Sequence, residues 1–416
     1  MKFKRGFTIP LAAVILGGSL LAGCGGTGGG DSTTAATTSA ASTTTAAATT
    51  TAASTTAATT TAAKTAAIEF TDCAGQNIKL EKPLEHVVIQ ASGSGGAFMT
   101  MSAILGKDVY KYIAYMDEGL QNNRKDMWDQ FIKTVPELAD IPTVGSLGKD
   151  FDTEGILNSD ADALIVSTMN KETVDAEVKE KFEKAGIPII YIELHDETEE
   201  NHVKTIEILG KAFGKEDQAQ KIIDFYKEHR HAVEDKVADI LKSKEREDLY
   251  IEVGSGGPSE YGNTYDNNQM WGGIAYVAGG NSIGDGVVPE SGYGAIDPEY
   301  LLEKDPSKIV FAGSYWPKVA DSIRLGFDSN EADTRKLVEG YLARSGWSDL
   351  SAVKDGEIYV VHHGLAREVY DVACYEFFAK LLWPEEFKDT DATATLKEYY
   401  DTFLPYDFAG TWFYEY

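Results

Sequence analysis

Residues 216–243 read EDQAQKIIDFYKEHRHAVEDKVADILKS, and apolar side chains recur in this stretch at steps of three or four residues. The recurring positions are Ala219, Ile222, Ile223, Tyr226, Val233, Val237, Ile240 and Leu241. That spacing predicts one helix with a single apolar face. At 1.5 Å per residue the helix would be about 42 Å long, which is enough to cross from one domain to another. An ordinary surface helix packed on one core has the same pattern. The sequence on either side must therefore distinguish a connecting helix from a surface helix.

Two similar segments of sixteen residues lie on either side of this helix. Residues 151–166 read FDTEGILNSDADALIV, and residues 296–311 read IDPEYLLEKDPSKIVF. Their gapless alignment pairs Asp152 with Asp297, Glu154 with Glu299, Leu157 with Leu302 and Asp160 with Asp305. Each segment predicts a short helix, a turn and a buried strand, at residues 163–167 and 308–312. A chance match or a common helix–strand habit stays open as an alternative.

The equivalent position of the two segments favours an α/β fold with two Rossmann-like lobes. Each lobe would contain a parallel sheet, and a long rigid helix would join them with a ligand cleft in between. The predicted lobes are residues 68–198 and 248–416, and the predicted connecting helix is residues 199–247.

Residues 1–24 predict a secretory signal, with basic side chains in residues 2–5 and an apolar run in residues 7–21. The signal ends in Leu-Ala-Gly-Cys, which resembles a bacterial lipoprotein box. Lipidation of Cys24 would anchor the protein at a membrane surface without spanning it. A plain signal peptide with an incidental cysteine is the alternative. Residues 25–67 are almost wholly Gly, Ser, Thr and Ala and predict a disordered tether.

The charge balance disfavours nucleic acid as a partner. The chain has 38 Lys and Arg against 66 Asp and Glu, a net charge of −28. Such a surface repels phosphate backbones. Solubility alone explains the charge, and an anionic ligand would need locally basic cleft residues.

Two cysteines follow Cys24. Outside the cytoplasm, Cys73 and Cys374 could form a disulfide that ties the two lobes together. The sequence cannot decide the pairing. Otherwise Cys374 would be a small buried residue in a helix.

A glycine-rich turn follows the predicted strand at residues 86–91. Residues 92–96 read SGSGG and lead into a helix, an arrangement that exposes backbone N–H groups at the carboxyl end of a strand. We expect a ligand-facing loop that includes Ser92 and Ser94. A dinucleotide fingerprint is excluded because Phe98 stands where the third glycine belongs.

The other candidates for the cleft lie in loops or at strand ends of the C-terminal lobe. They are Tyr261, Trp271, Tyr315, Trp316, His363 and Arg367. Aromatic rings at these places suit a ligand wall, and packing between domains explains them as well. Because neighbours on a strand point to opposite faces, at most one of His362 and His363 can face the cleft. We expect His195 to be a solvated loop residue.

Motifs of catalysis are missing from the sequence. It contains no CxxC, HExxH, P-loop or G-x-S-x-G motif. The histidines are too scattered for a convincing metal cage, and no carboxylate pair stands out as acid and base. We therefore expect a binding protein with no catalytic residue, no resident metal and no cofactor.

Three segments resemble those of the substrate-binding lipoproteins of iron-chelate and cobalamin ABC importers, the class with a helical backbone. They are the opening segment from Thr71-Asp72 to Val88, the sequence AGGN at residues 278–281, and WSDLSAVKDGEIY at residues 347–359. The signal, the tether and the two predicted lobes agree with this resemblance.

The resemblance implies a monomer at the extracytoplasmic face of the cell membrane. It would bind a small-molecule metal chelate between its lobes, with little hinge closure, and deliver it to an ABC permease and its ATPase. Glu154 and Glu299 match the two surface glutamates of the family, which pair with permease arginines. A helix N-terminus also favours a glutamate through its dipole, which is the alternative explanation for each.

Two features depart from that family. The N-terminal lobe is enlarged at residues 107–141, and no cluster of Arg or Lys marks an anionic site. The ligand, an iron–siderophore, haem or corrinoid complex, is therefore left open. A secreted enzyme on a nitrogenase-like or Rossmann-like scaffold is the second hypothesis, and a surface adhesin is the third.

Overall fold

The computed structural model describes residues 67–90 and 96–416. The predicted signal, nearly all of the predicted tether, Cys24, Ser92 and Ser94 lie outside the described residues. Among the helices of the described part, none has the length and the apolar run that crossing a bilayer requires.

The N-terminal lobe contains a hairpin and a parallel sheet. The hairpin pairs β1 (Ile68–Thr71) with β2 (Asn77–Leu80). The sheet strands are β3 (Val87–Ile89), β4 (Ile113–Met116), β5 (Ala163–Ser167) and β6 (Ile189–Ile192). They are parallel in the order β4–β3–β5–β6. Every residue of β3, β5 and β6 is buried, which explains their continuous apolar runs.

The described residues of this lobe form six α-helices. They are α1 (Gly96–Leu105), α2 (Gly119–Asn123), α3 (Lys125–Thr134), α4 (Thr153–Leu157), α5 (Lys171–Glu177) and α6 (Lys179–Ala185). The 3-10 segments Gly106–Tyr112 and Pro136–Asp140 flank β4 and α3.

The connector consists of two helices, α7 (Glu199–Ala212) and α8 (Glu216–Ile240). Gly214 ends the first with a positive φ of 61°, a conformation that glycine adopts without strain. At 25 residues, α8 is about 38 Å long. The predicted apolar stripe is buried from Ala219 to Ile240, Leu241 is half-buried, and Arg230 is buried with the stripe.

The C-terminal lobe contains a second, separate sheet. The seven strands of the lobe are β7 (Glu247–Val253), β8 (Thr264–Tyr265), β9 (Gly280–Ser282), β10 (Tyr293–Gly294), β11 (Lys308–Gly313), β12 (Ile358–His362) and β13 (Phe413–Glu415). Five of them form the sheet in the order β13–β12–β11–β7–β9, and β13 alone runs antiparallel to its neighbour. Strands β8 and β10 pair with each other.

Six helices complete this lobe. They are α9 (Met270–Val277), α10 (Pro298–Lys304), α11 (Glu331–Leu342), α12 (Ser351–Asp355), α13 (Val372–Leu382) and α14 (Ala392–Phe403). The two-lobe α/β fold with parallel sheets is thereby confirmed. The residue limits proposed for the lobes stay predictions.

The two matching segments of the sequence form matching structures. Asp152 caps α4 by accepting a hydrogen bond from Gly155 N, and Asp297 caps α10 by accepting one from Glu299 N, each at 2.8 Å. The strands β5 and β11 follow these helices. Glu154 and Glu299 are both exposed near the N-termini of their helices.

One continuous hydrophobic core contains residues of both lobes. The enlarged part of the N-terminal lobe contributes to it through α3. The ring of Phe131 lies 3.9 Å from that of Tyr406 and 6.0 Å from that of Phe327, measured between centroids. Asp126 Oδ2 accepts a hydrogen bond from Phe327 N at 3.1 Å. The enlargement therefore holds the lobes together along one edge.

The two cysteines are not paired in this structure. Both thiols are free, and Cys374 is buried in α13. Cys73 Sγ instead lies 3.8 Å from the hydroxyl of Thr205.

Candidate functional site

The candidate site lies where the carboxyl ends of the two parallel sheets face each other. In parallel sheets the loops that follow the strands leave at this edge. Hydrogen bonds between described residues join the lobes there. Gly96 N, at the start of α1, donates to Glu368 Oε1 at 3.0 Å, and Arg367 N donates to Glu197 Oε1 at 3.2 Å.

Three predicted residues, Trp271, Trp316 and His363, come together and form what we call the indole–imidazole cluster. Trp271 is fully buried, and its Nε1–H donates to His363 Nδ1 at 3.0 Å. The half-buried ring of Trp316 lies 5.9 Å from the His363 ring on another side. The adjacent His362 is fully buried against Trp412. His363 is therefore the histidine that belongs to the cluster.

The hydrogen bond from Trp271 determines which proton His363 carries. Because Nδ1 accepts the indole N–H, the neutral ring has its own proton on Nε2. Burial lowers the pKa of His363 well below its usual value, and the positive charges of Arg367 and Arg124 lower it further. The ring is thus neutral near pH 7 and offers an N–H donor to a ligand oxygen.

Two arginines from different lobes meet beside this cluster. Arg124 is only 2% exposed, and its Nη1 lies 1.1 Å from the position that a Cβ on Gly364 would take. The guanidinium therefore packs directly on the backbone after β12. Burial lowers the pKa of Arg124 to about 10, with a further contribution from the charge of Arg367. Two like charges in a desolvated place repel each other, and an anion between them would relieve that repulsion.

A buried carboxyl group moderates this positive charge. Glu368 is fully buried, and burial raises its pKa well above the usual value. The nearby charges of Arg124 and Arg367 oppose that shift. Glu368 thus offsets part of the positive charge of the two arginines, as do Asp126 beside Arg124 and Glu197 beside Arg367.

His195 corrects one expectation from the sequence. Its side chain is only 12% exposed, and Nδ1 lies 3.4 Å from Ser167 Oγ at the end of β5. Burial lowers its pKa to about 3, and the charge of Arg367 adds to the shift. The prediction of a solvated loop histidine was wrong, because the loop after β6 turns toward the other lobe.

The remaining predicted residues lie elsewhere. Tyr261 packs inside the C-terminal lobe, where its hydroxyl accepts a hydrogen bond from Trp347 Nε1 at 2.9 Å and the guanidinium of Arg344 covers its ring. Tyr315 lies beneath Arg324, with 4.9 Å between Cζ and the ring centroid. The structure brings neither tyrosine into the indole–imidazole cluster.

Reasoning from the sequence missed Arg124, Glu197 and Glu368 as site residues. Each has another charged residue beside it in the sequence, so it looks like ordinary surface. For Glu197 and Glu368, their position shortly after a predicted strand was the only available signal. For Arg124, which reaches the other lobe from the start of α3, the sequence offers none.

Comparison with known proteins identifies the family. A family model described as "Periplasmic binding protein" matches residues 119–364, which is more than half of the chain. The chain belongs to this periplasmic binding protein family. Its similarity to substrate-binding proteins of ABC transporters, which are not enzymes, confirms the family resemblance seen in the sequence.

Three individual proteins illustrate the relationship. The crystal structure of a TroA-like periplasmic binding protein, FepB from Veillonella parvula, has 45% identity and a TM-score of 0.80, covering 84% of this chain and 99% of its own. The molybdate-binding protein MolA of Haemophilus influenzae is 20% identical over 68% of this chain and 78% of its own length. YvrC of Bacillus subtilis, an uncharacterised ABC transporter substrate-binding lipoprotein, is 22% identical over 64% of this chain and 73% of its own.

The packing of Arg124 on Gly364 can be tested with a double-mutant cycle. A methyl group at residue 364 would occupy the place of the guanidinium, so we expect Gly364→Ala to lower the free energy of unfolding by about 1–3 kcal/mol. In an Arg124→Ala background the methyl group has room. Most of the loss in the free energy of unfolding caused by Gly364→Ala should then disappear. Urea unfolding of the four proteins measures the difference. An equal cost in both backgrounds would contradict the contact.

Stability of the binding protein should fall in acid because His195 cannot take up a proton when folded. Unfolded histidine titrates near pH 6.5 and folded His195 at about pH 3. Between these values the unfolded chain binds one proton more, so the free energy of unfolding drops by up to about 1.4 kcal/mol per pH unit. Urea unfolding at about pH 7, 6 and 5 should show a shallower loss in His195→Gln. Identical slopes in the wild type and in His195→Gln would refute the assignment.

Proposed function

We propose that this protein captures a metal chelate, namely an iron–siderophore, haem or corrinoid complex, and delivers it to the permease of an ABC importer. The observation that carries the proposal is the meeting of the indole–imidazole cluster with Arg124 and Arg367 at the facing strand ends. Flat aromatic faces suit the organic part of a chelate, and buried polar donors select its orientation.

The arginine pair favours the anionic members of this ligand group. Haem carries propionates and many siderophores carry carboxylates, and arginine binds carboxylates with two parallel hydrogen bonds. Arg124 and Arg367 repel each other in a site of low dielectric, so an anionic ligand gains more there than at an exposed surface. The Nε2–H of His363 supplies a further donor. A neutral corrinoid would leave the repulsion in place.

A bare oxyanion is a second candidate ligand. The relative MolA is by name a molybdate-binding protein, and the arginine pair is also suited to a small tetrahedral anion. The aromatic rings of the cluster favour the larger chelate, since an oxyanion makes no use of Trp316.

The proposal includes anchoring and docking. Lipidation of Cys24 would hold the protein at the extracytoplasmic face of the cell membrane, with residues 25–67 as its tether. Glu154 and Glu299 would then contact arginines of the permease. Their exposure and their equivalent positions near the starts of α4 and α10 support two matched contacts with a two-fold partner.

Titration of the purified protein tests the ligand class. Ferric siderophores, haem, cobalamin and molybdate are added separately while tryptophan fluorescence is followed, and we expect an anionic chelate to quench it. Arg367→Gln should weaken binding about tenfold to a hundredfold, because a charged hydrogen bond is lost. Arg335→Gln, at an exposed arginine on α11, should bind like the wild type. Binding of molybdate alone would favour the oxyanion as the ligand. No change in fluorescence with any of the four compounds would refute both the chelate and the oxyanion.

Docking is tested separately by charge reversal. We expect Glu154→Lys together with Glu299→Lys to reduce ligand uptake by cells about tenfold, since like charges would face the permease arginines. The ligand affinity of the purified variant should not change. Glu303→Lys, at an exposed position on the same helix as Glu299, is the matched control. Normal uptake by the double variant would reject the role of the two glutamates.

A further inference from the structure

A second group of polar side chains lies buried between the lobes, next to the candidate ligand site but not part of it. Glu197 follows β6, His202 lies in the first turns of α7, and Asp371 immediately precedes α13. The side-chain exposures of these three residues are 2%, 0% and 0%. One ligand atom from each lies within 4.8 Å of the other two. We call these three residues the buried triad.

In each residue of the triad, one polar atom is held by a neighbour. Glu197 Oε1 accepts the hydrogen bond from Arg367 N at 3.2 Å, and Asp371 Oδ2 lies 3.4 Å from Tyr375 OH. His202 Nδ1 lies 3.0 Å from the hydroxyl of Tyr226 and 3.4 Å from Asp371 Oδ2. These contacts orient all three side chains.

The opposite polar atom of each residue has no hydrogen-bond partner within the described part of the chain. These atoms are Glu197 Oε2, His202 Nε2 and Asp371 Oδ1. Leaving buried polar atoms unpaired is costly, and native proteins rarely contain three of them together. In metal sites, a neighbouring residue commonly binds one polar atom of each ligand side chain, and the other polar atom binds the metal.

The nearby cation does not satisfy these atoms. Arg230 directs Nε to Glu234, and its Nη1 donates to the hydroxyls of Tyr226 and Tyr375 and to the backbone oxygen of Glu197. A proton shared between the two carboxyl groups would pair their oxygens. His202 would then keep its contact with the hydroxyl of Tyr226 and a weak interaction with the backbone of Leu194.

We propose that the buried triad binds one divalent transition-metal ion of the zinc type. Ligand bonds of about 2.0–2.2 Å place neighbouring atoms of a tetrahedral site about 3.4 Å apart. His202 Nε2 and Glu197 Oε2 are separated by 3.6 Å. One imidazole and two carboxylates suit zinc, whereas calcium and magnesium prefer oxygen alone. The proposal departs from the sequence-based expectation of no resident metal, and it does not depend on the ligand proposed above.

The burial of the triad makes this ion a structural component rather than the transported cargo. The ion would join the end of the N-terminal lobe and α7 to the start of α13. Glu197 would bind it through Oε2 while Oε1 holds the backbone of Arg367, a residue with a positive φ of 70°. The ion would therefore help to hold the arginine that faces the ligand.

Metal counting on untagged protein tests the proposal. The chain is stripped with a chelator, equilibrated with zinc chloride, desalted and analysed by elemental mass spectrometry. We expect one retained zinc per chain and a midpoint of thermal unfolding that rises by several degrees, reversibly with chelator. Glu197→Gln and His202→Gln, which preserve side-chain size, should each reduce the retained zinc at least tenfold.

A second group on the surface provides the control. Glu199, His231 and Glu234 also place ligand atoms within 4.8 Å of one another, but half of the His231 side chain is exposed. His231→Ala should retain the ion. Loss of zinc from His231→Ala alone would assign the ion to the surface group and overturn the proposal. A wild-type chain that retains no zinc and shows no thermal shift would overturn it in favour of a shared proton, whether or not the triad variants fold.

Discussion

The buried guanidinium of Arg230 on α8 is the interaction on which the arrangement of the two lobes depends. Its partners come from three places: Tyr226 on the same helix, the backbone of Glu197 at the end of the N-terminal lobe, and Tyr375 on α13. An arginine can be buried only if its donors are satisfied. Any shift of one lobe along α8 would break some of these bonds, so the charge specifies one relative position of the lobes.

That fixed position allows charged groups to face each other at the carboxyl ends of the two sheets. Arg124 reaches the backbone at Gly364 across the junction, and Glu368 receives the first N–H of α1. A binding protein with such a preformed site spends little free energy on rearrangement when its ligand arrives. The same rigidity makes the site selective, since a ligand must match donors that are already in place.

The enlarged part of the N-terminal lobe adds a second constraint. Through Phe131 and Asp126 it contacts the C-terminal lobe on one edge of the junction, far along the chain from α8. The lobes are thus connected by the helices on one side and by this packing on another. We infer that wide opening of the junction would expose a large apolar surface, which is unfavourable in water.

The sequence by itself determined the elements whose formation depends on local physics. Apolar runs indicated the buried strands at 163–167 and 308–312, and three- and four-residue spacing indicated α8. The repeated segments with Asp152 and Asp297 indicated two similar lobes. These features can be predicted from the sequence because strand burial and helix periodicity depend on residues that are close together in the chain. The family resemblance, carried by short motifs, was readable for the same reason.

Only the tertiary structure decided which side chains meet. Tyr261 and Trp271 occupy similar glycine-rich stretches, yet the first packs on Trp347 and the second donates to His363. Arg124 and Arg367 are 243 positions apart in the sequence, and nothing near either one marks it as buried. A charged residue in a polar stretch looks the same whether water or another lobe covers it. Its burial is set by how the lobes pack, and that information is spread over the whole chain.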